Sequence, residues 1–218
     1  MLNKYSSNRL FAIGLWFVAL CASLYFPFAS LLGSHKAMLG GGALVLPVLG
    51  SLCGIGSVSL LFVLLWIIKA CLKSLPLTVG IPSLFGMVSW SSARSTKTRA
   101  IDLLVNALLP AICMATFMCH PASREAWPYA LYWLIPISCH LMSSKKSFIL
   151  ALQSAFVSHA IGSIMWLFLV PMTSAQWLGL IPVVAVERLV MATVATAIYT
   201  AINVLTYKAK AGQSAITL

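Results

Sequence analysis

The chain has 218 residues, 61% of them hydrophobic and 8% charged, with a formal net charge of +11. A soluble domain carries about 25% charged residues, so this composition excludes a water-covered globular surface and points to an integral membrane protein. The basic residues sit in short clusters between apolar runs rather than along a groove; that pattern marks cytoplasmic loops and excludes nucleic acid as the partner.

A helix that crosses the hydrocarbon needs about 20 apolar residues at 1.5 Å rise each. Lys4 and Arg9 precede the first run, Leu10–Leu32, which outlasts the roughly 7–15 apolar residues of a signal peptide and reads as a retained span. Ala43–Ile68 is the second. Leu75–Trp90 is shorter and carries Pro76, Gly80, Pro82 and Gly86, residues that break helices. It predicts either a re-entrant segment packed into the bundle or a short tilted helix at the interface. Ile101–Cys119, Trp127–Met142, Phe148–Val170 and Trp177–Thr206 follow as four further spans.

Charge orients these runs. Six spans with a cytoplasmic N-terminus put eleven of the 14 Lys and Arg inside, including Arg94, Lys97, Arg99, Lys145 and Lys146. A crossing at 75–90 would flip every later loop and leave five inside against eight outside, so six spans with both termini cytoplasmic is the better topology. Trp127, Tyr129, Tyr132 and Trp177 then fall near the outer interface as an aromatic belt. Loops are short and no internal repeat is visible, so residues 1–218 form one transmembrane domain, surrounded by lipid in the cytoplasmic (inner) membrane of a bacterium.

Glu187 and Arg188 are the two charged residues of the apolar run Ile181–Leu205. Neighbours on a helix point about 100° apart, so each is expected to need its own partner. With Pro182 in the first helical turn, Glu187 lies about 7–8 Å below the helix start. An intramembrane ionisable residue is a functional-site hypothesis by default; the structural alternative is a pair that bridges two helices. Arg188 is expected to reach the outer interface or to pair on another face.

The preceding span carries His159, Ser163 and Trp166 at i, i+4 and i+7, hence on one face. A short loop joins it to the Glu187 helix, making the two antiparallel neighbours. Imidazole, hydroxyl, indole and carboxylate so placed suit a flat ligand with a polar head. The bland reading of His159 is a helix–helix hydrogen bond. Asp102 begins its run at a helix N-terminus, where a carboxylate meets the dipole favourably, with Asn106 one turn on; it reads as a structural charge, or as part of a docking surface with Arg94, Lys97 and Arg99.

Enzyme signatures are absent: no GxSxG, HExxH or Walker A. The six cysteines show no CxxC and no metal-ligand spacing. His35 and His120 fall outside, His140 near the inner end and His159 mid-span, so no pair can ligate a haem. Neither catalysis, a metal nor a cofactor is expected.

In size, charge and topology the chain resembles the substrate-binding S components of energy-coupling-factor vitamin transporters. Ala19 and Ser23, small residues four apart on the first helix, match the place where that family contacts its transmembrane coupling subunit. The resemblance implies a vitamin-like micronutrient bound in an outward-facing cavity and delivered with a coupling subunit and two cytoplasmic ATPases. A stand-alone proton-coupled transporter using His159 and Glu187, and a structural or assembly membrane protein, are the alternatives.

Overall fold

The computed structural model describes residues 81–216, the last nine by their backbone alone, and nine separate positions between Pro47 and Ile67, all helical. Ala19, Ser23, the Leu10–Leu32 run, most of Ala43–Ile68 and residues 75–80 lie outside the described residues. The structure is 89% helix, with no strand among the described residues. Three helical runs, Thr96–Cys119, Ser147–Leu169 and Ile181–Tyr207, are long and apolar enough to cross a membrane. The protein is an all-helical membrane protein.

The first continuous element is α1, Ile81–Arg94. The expected break does not occur. Pro82 lies next to the first described residue of this helix, and Gly86 lies where α6 crosses it. A Cβ on Gly86 would overlap the Ser158 hydroxyl, and Ser154 Oγ donates to the Gly86 carbonyl at 2.7 Å. Glycine therefore marks a helix crossing here, not a helix end.

After a 3₁₀ turn at Thr96–Thr98 come α2, Arg99–Leu103, a π turn at Leu104–Leu108 and α3, Leu109–Cys119. The π turn has a cause in the sequence. Pro110 cannot donate to a carbonyl four residues back and its ring crowds that carbonyl, and the wider turn just before it absorbs the conflict. Within it the Leu109 N–H reaches Leu104, five residues back.

The expected span Trp127–Met142 is not one helix. It divides into α4, Trp127–Ala130, a 3₁₀ turn at Leu131–Trp133, and α5, Leu134–Leu141. Pro128 and Pro136 each stand near the start of their own segment, and the tighter turn lies between them.

α6, Ser147–Leu169, is the central helix. It spans about 35 Å at helical rise and touches α1, α3, α5 and α8, Ile181–Ile216. Of its most apolar window 61% is buried within the protein, against 28% for each of the other two long runs. A helix buried that thoroughly packs on protein, not lipid. The short α7, Ser174–Gly179, begins with a capping box in which Thr173 and Gln176 satisfy each other's backbone N–H. The expected span Trp177–Thr206 thus breaks at Leu180, and the helix beyond it continues ten residues past Thr206.

Candidate functional site

Beyond the midpoint of α6 the interior is aromatic. Phe117 of α3 stacks on Tyr129 at 5.3 Å and meets Trp133 and Trp177 edge-on at 5.4 and 5.1 Å. His159 lies among these rings, 5.4 Å from Tyr129, 6.2 Å from Phe156 and 6.5 Å from Trp133. Tyr129 and Ser163 share a hydrogen bond of 3.1 Å. His159 and Ser163 are therefore joined through Tyr129, a residue expected in a lipid-facing belt. Tyr129 and Trp177 are 2% and 1% exposed; they are core, because the short α4 and α7 carry them inward over the end of the bundle. Trp127, at 49% exposure, does face outward.

Trp166 packs against the edge of that ring cluster, but neither it nor Glu187 hydrogen-bonds to His159, Tyr129 or Ser163. The Trp166 indole N–H points to Met172 Sδ at 3.0 Å, in the loop after α6. Glu187 is half-buried and accepts from Arg188 Nη2 at 3.0 Å. Two expectations are corrected here. The adjacent charges do pair, because the long arginine stem bends back across the 100° between them. The residue that points inward is Arg188, 7% exposed, rather than Glu187. Arg188 shares a stripe with Val184, Met191, Ala192, Ala195 and Tyr199, all buried; these recur at the three- and four-residue steps of a helix face. Arg188 is buried rather than extended to the protein surface. Its Nη1 meets Met191 Sδ at 3.3 Å, and its charge acts on both Tyr129 and His159.

Buried polar groups in proteins are nearly always hydrogen-bonded, yet this box holds four that have no partner among the described residues. They are Trp133 Nε1, Trp177 Nε1, His159 Nε2 and Arg188 Nε. Three are donors in every protonation state, and the imidazole nitrogen donates or accepts by tautomer. The wider hollow at this end lies further out, an open groove lined by His120, Leu167–Thr173 and Ala122.

The opposite end of α6 carries a second polar group. Asp102 stands in the first turn of α2, as expected, but is not the cap; Thr98 holds that position. Asp102 Oδ1 accepts from Asn106 Nδ2 at 2.6 Å, and Asn106 Oδ1 in turn accepts from Ser89 Oγ of α1 at 2.5 Å. His140 Nδ1 of α5 approaches Asp102 Oδ2 at 3.2 Å. Nearby, Lys145 donates to the Ala93 carbonyl, and Arg94 donates to the Tyr199 hydroxyl with its guanidinium 4.9 Å from that ring. A hollow of about 30 Å³ lies between Asp102, His140, Lys145 and Gln153. The i, i+4 spacing of Asp102 and Asn106 was the signal for this network; what joins them, Ser89 and His140, comes from distant segments. Among the described residues no three His, Cys, Asp or Glu side chains gather to hold a metal.

No protein-family model, curated protein or solved structure matches the chain.

Proposed function

We propose that this protein is a membrane transport subunit that binds a small, vitamin-like micronutrient and passes it inward with a separate ATP-driven coupling module. It would act as an S component of an energy-coupling-factor transporter, with six spans and both termini in the cytoplasm of a bacterial cell. The observation that carries the binding reading is the aromatic box with its four unpartnered nitrogens. Rings offer faces to a flat ligand, and free N–H groups fit the carbonyl or carboxylate oxygens of its polar head. Because Tyr129, Trp133 and Trp177 are almost fully buried, a ligand would reach them only if the short α4 and α7 segments part from α6. Arg188, with Trp133, Trp177 and His159, replaces Glu187 as the residue to test first.

The test is thermal stabilisation of the purified protein by a panel of water-soluble vitamins, followed by uptake into vesicles. One vitamin should raise the melting temperature, and Trp177→Phe, which deletes the N–H but keeps a ring, should weaken that binding by about 0.5–1.5 kcal/mol. Uptake should need ATP and partner subunits. Stabilisation by no member of the panel would leave the rings as packing alone.

The Asp102–His140 contact favours a second reading, a stand-alone proton-coupled transporter. Uptake driven by a proton gradient without ATP would select it.

A further inference from the structure

The hollow at the Ser147 end of α6 combines unpartnered buried polar atoms with room for water, the two conditions an ordered buried water needs. Its volume of about 30 Å³ exceeds the roughly 10–15 Å³ that one water needs. Gln153 lines it, is 2% exposed, and its Nε2 has no partner among the described residues. His140 Nδ1 lies 3.2 Å from Asp102 Oδ2 but is not aligned for a hydrogen bond, so it too is unsatisfied. A water there would have an amide donor, an imidazole nitrogen and a carboxylate within the cluster, within the two to four partners that buried water takes. Ser143 and Lys145, both exposed on the turn after α5, open the hollow to the aqueous phase.

We propose that this hollow is a proton-binding site, in which a water held by Gln153, His140 and Asp102 relays a proton from the aqueous phase to His140. A neutral imidazole has one N–H and one lone pair. The lone-pair nitrogen takes the proton, delivered by hydronium or buffer through the water, and no electron moves. The imidazolium then faces the Asp102 carboxylate as an ion pair. Among the described residues the other groups around His140 are few. Lys145 stands on the rim, with its ammonium on the Ala93 carbonyl, and opposes the new charge; Arg94 is turned to Tyr199. Lys97, Arg99 and Lys146 are exposed, Cys139 on the same helix is a free thiol, and α6 presents only Gln153 and Leu150. Asp102 is thus the one anion among the described residues at the hollow.

The proton's effect would travel beyond the pair. Asp102 is tied through Asn106 to Ser89, so a charge on His140 tightens a chain that runs from α5 through α2 and the π turn to α1. Single π turns occur frequently at functional sites. The site lies at the opposite end of α6 from the aromatic box and does not depend on which transport reading holds.

The experiment uses the full-length protein in detergent. Its melting temperature at about pH 5.5 should exceed that at about pH 8 by about 2–4 °C, because only a protonated His140 forms an ion pair with Asp102. His140→Gln should abolish the difference. Asp102→Asn should abolish or invert it, since Lys145 would then face the imidazolium alone. Gln153→Leu, which removes the water's anchor, should reduce it by about half. Histidine C2 hydrogen exchange followed by mass spectrometry reads the titration of His140 in the unaltered protein, and decides the matter even where a variant fails to fold. A His140 that does not titrate between about pH 5 and 9, or a pH difference that survives His140→Gln, overturns the proposal. An undiminished difference in Gln153→Leu removes the water from it.

Discussion

At the Ser147 end of α6 the neighbouring helices meet through small residues. Gly86 of α1 lies against Ser154 and Ser158 of α6, and the Ser154 hydroxyl bonds across the gap to the Gly86 carbonyl, while Ser89 of α1 bonds to Asn106 of the π turn. Past His159 the same helix is surrounded by rings from four other segments, and the nitrogens among them go unpartnered. Both ends have buried polar atoms without partners among the described residues; at the Ser147 end a water-sized hollow is lined by two of the residues that carry them, Gln153 and His140. The difference separates two ways of stabilising a bundle without a hydrophobic driving force between helices. Close backbone approach tolerates no added atom. A ring cluster is instead held by edge and face contacts among bulky side chains.

That contrast can be broken experimentally. Phe117→Ala, which removes the ring touching Tyr129, Trp133 and Trp177, should cost about 3–5 kcal/mol in reversible unfolding; a cost below about 1 kcal/mol would mean the rings form no common core. Glu187→Gln leaves Arg188 buried without a counter-charge and should cost about 2–3 kcal/mol, less than a fully buried pair because Glu187 is itself 24% exposed. Replacing both, Glu187→Leu with Arg188→Met, should recover that loss, and failure to recover it would assign the charges a role beyond mutual neutralisation. Gly86→Ala tests the other end: about 1–3 kcal/mol from overpacking against Ser158, with no change in the fluorescence of the ring cluster. Tyr129→Phe, which cuts only the bond to Ser163, should cost about 0.5–1.5 kcal/mol.

How far the sequence could be read depended on the kind of signal. Phe148–Val170 is within one residue of the observed α6 at each end, because an uninterrupted apolar run has few other solutions in a membrane. Prolines misled at two places in opposite senses. Pro82 and Gly86 were expected to break a helix and did not: Pro82 adjoins the first described residue of α1, and Gly86 sits at a crossing. Pro128 and Pro136 sit inside a run that was expected to be a single helix and is divided. The inward stripe of α8 was legible: Ala192, Ala195 and Tyr199 define it, and counting back four from Ala192 reaches Arg188, not Glu187. What no local pattern carries is which rings turn inward. Tyr129 and Trp177 look the same as Trp127 in sequence, and only the path of α4 and α7 makes them core. The Asp102–His140 contact is likewise a meeting of segments 38 positions apart.

The length of α8 has a mechanical consequence. Its 36 residues amount to about 54 Å at helical rise, against a hydrocarbon thickness of about 30 Å. The helix is held at two places: at Ile181, whose carbonyl accepts from the Tyr132 hydroxyl at 2.7 Å, and at Tyr199, which takes the Arg94 hydrogen bond and lies against the Trp90 ring. Eighteen residues, about 27 Å at helical rise, separate the two fastenings, and about 25 Å of helix runs on beyond the second. It is a beam supported near its middle, so a sideways shift at the Ile181 end is answered by one of similar size and opposite sense at the far end.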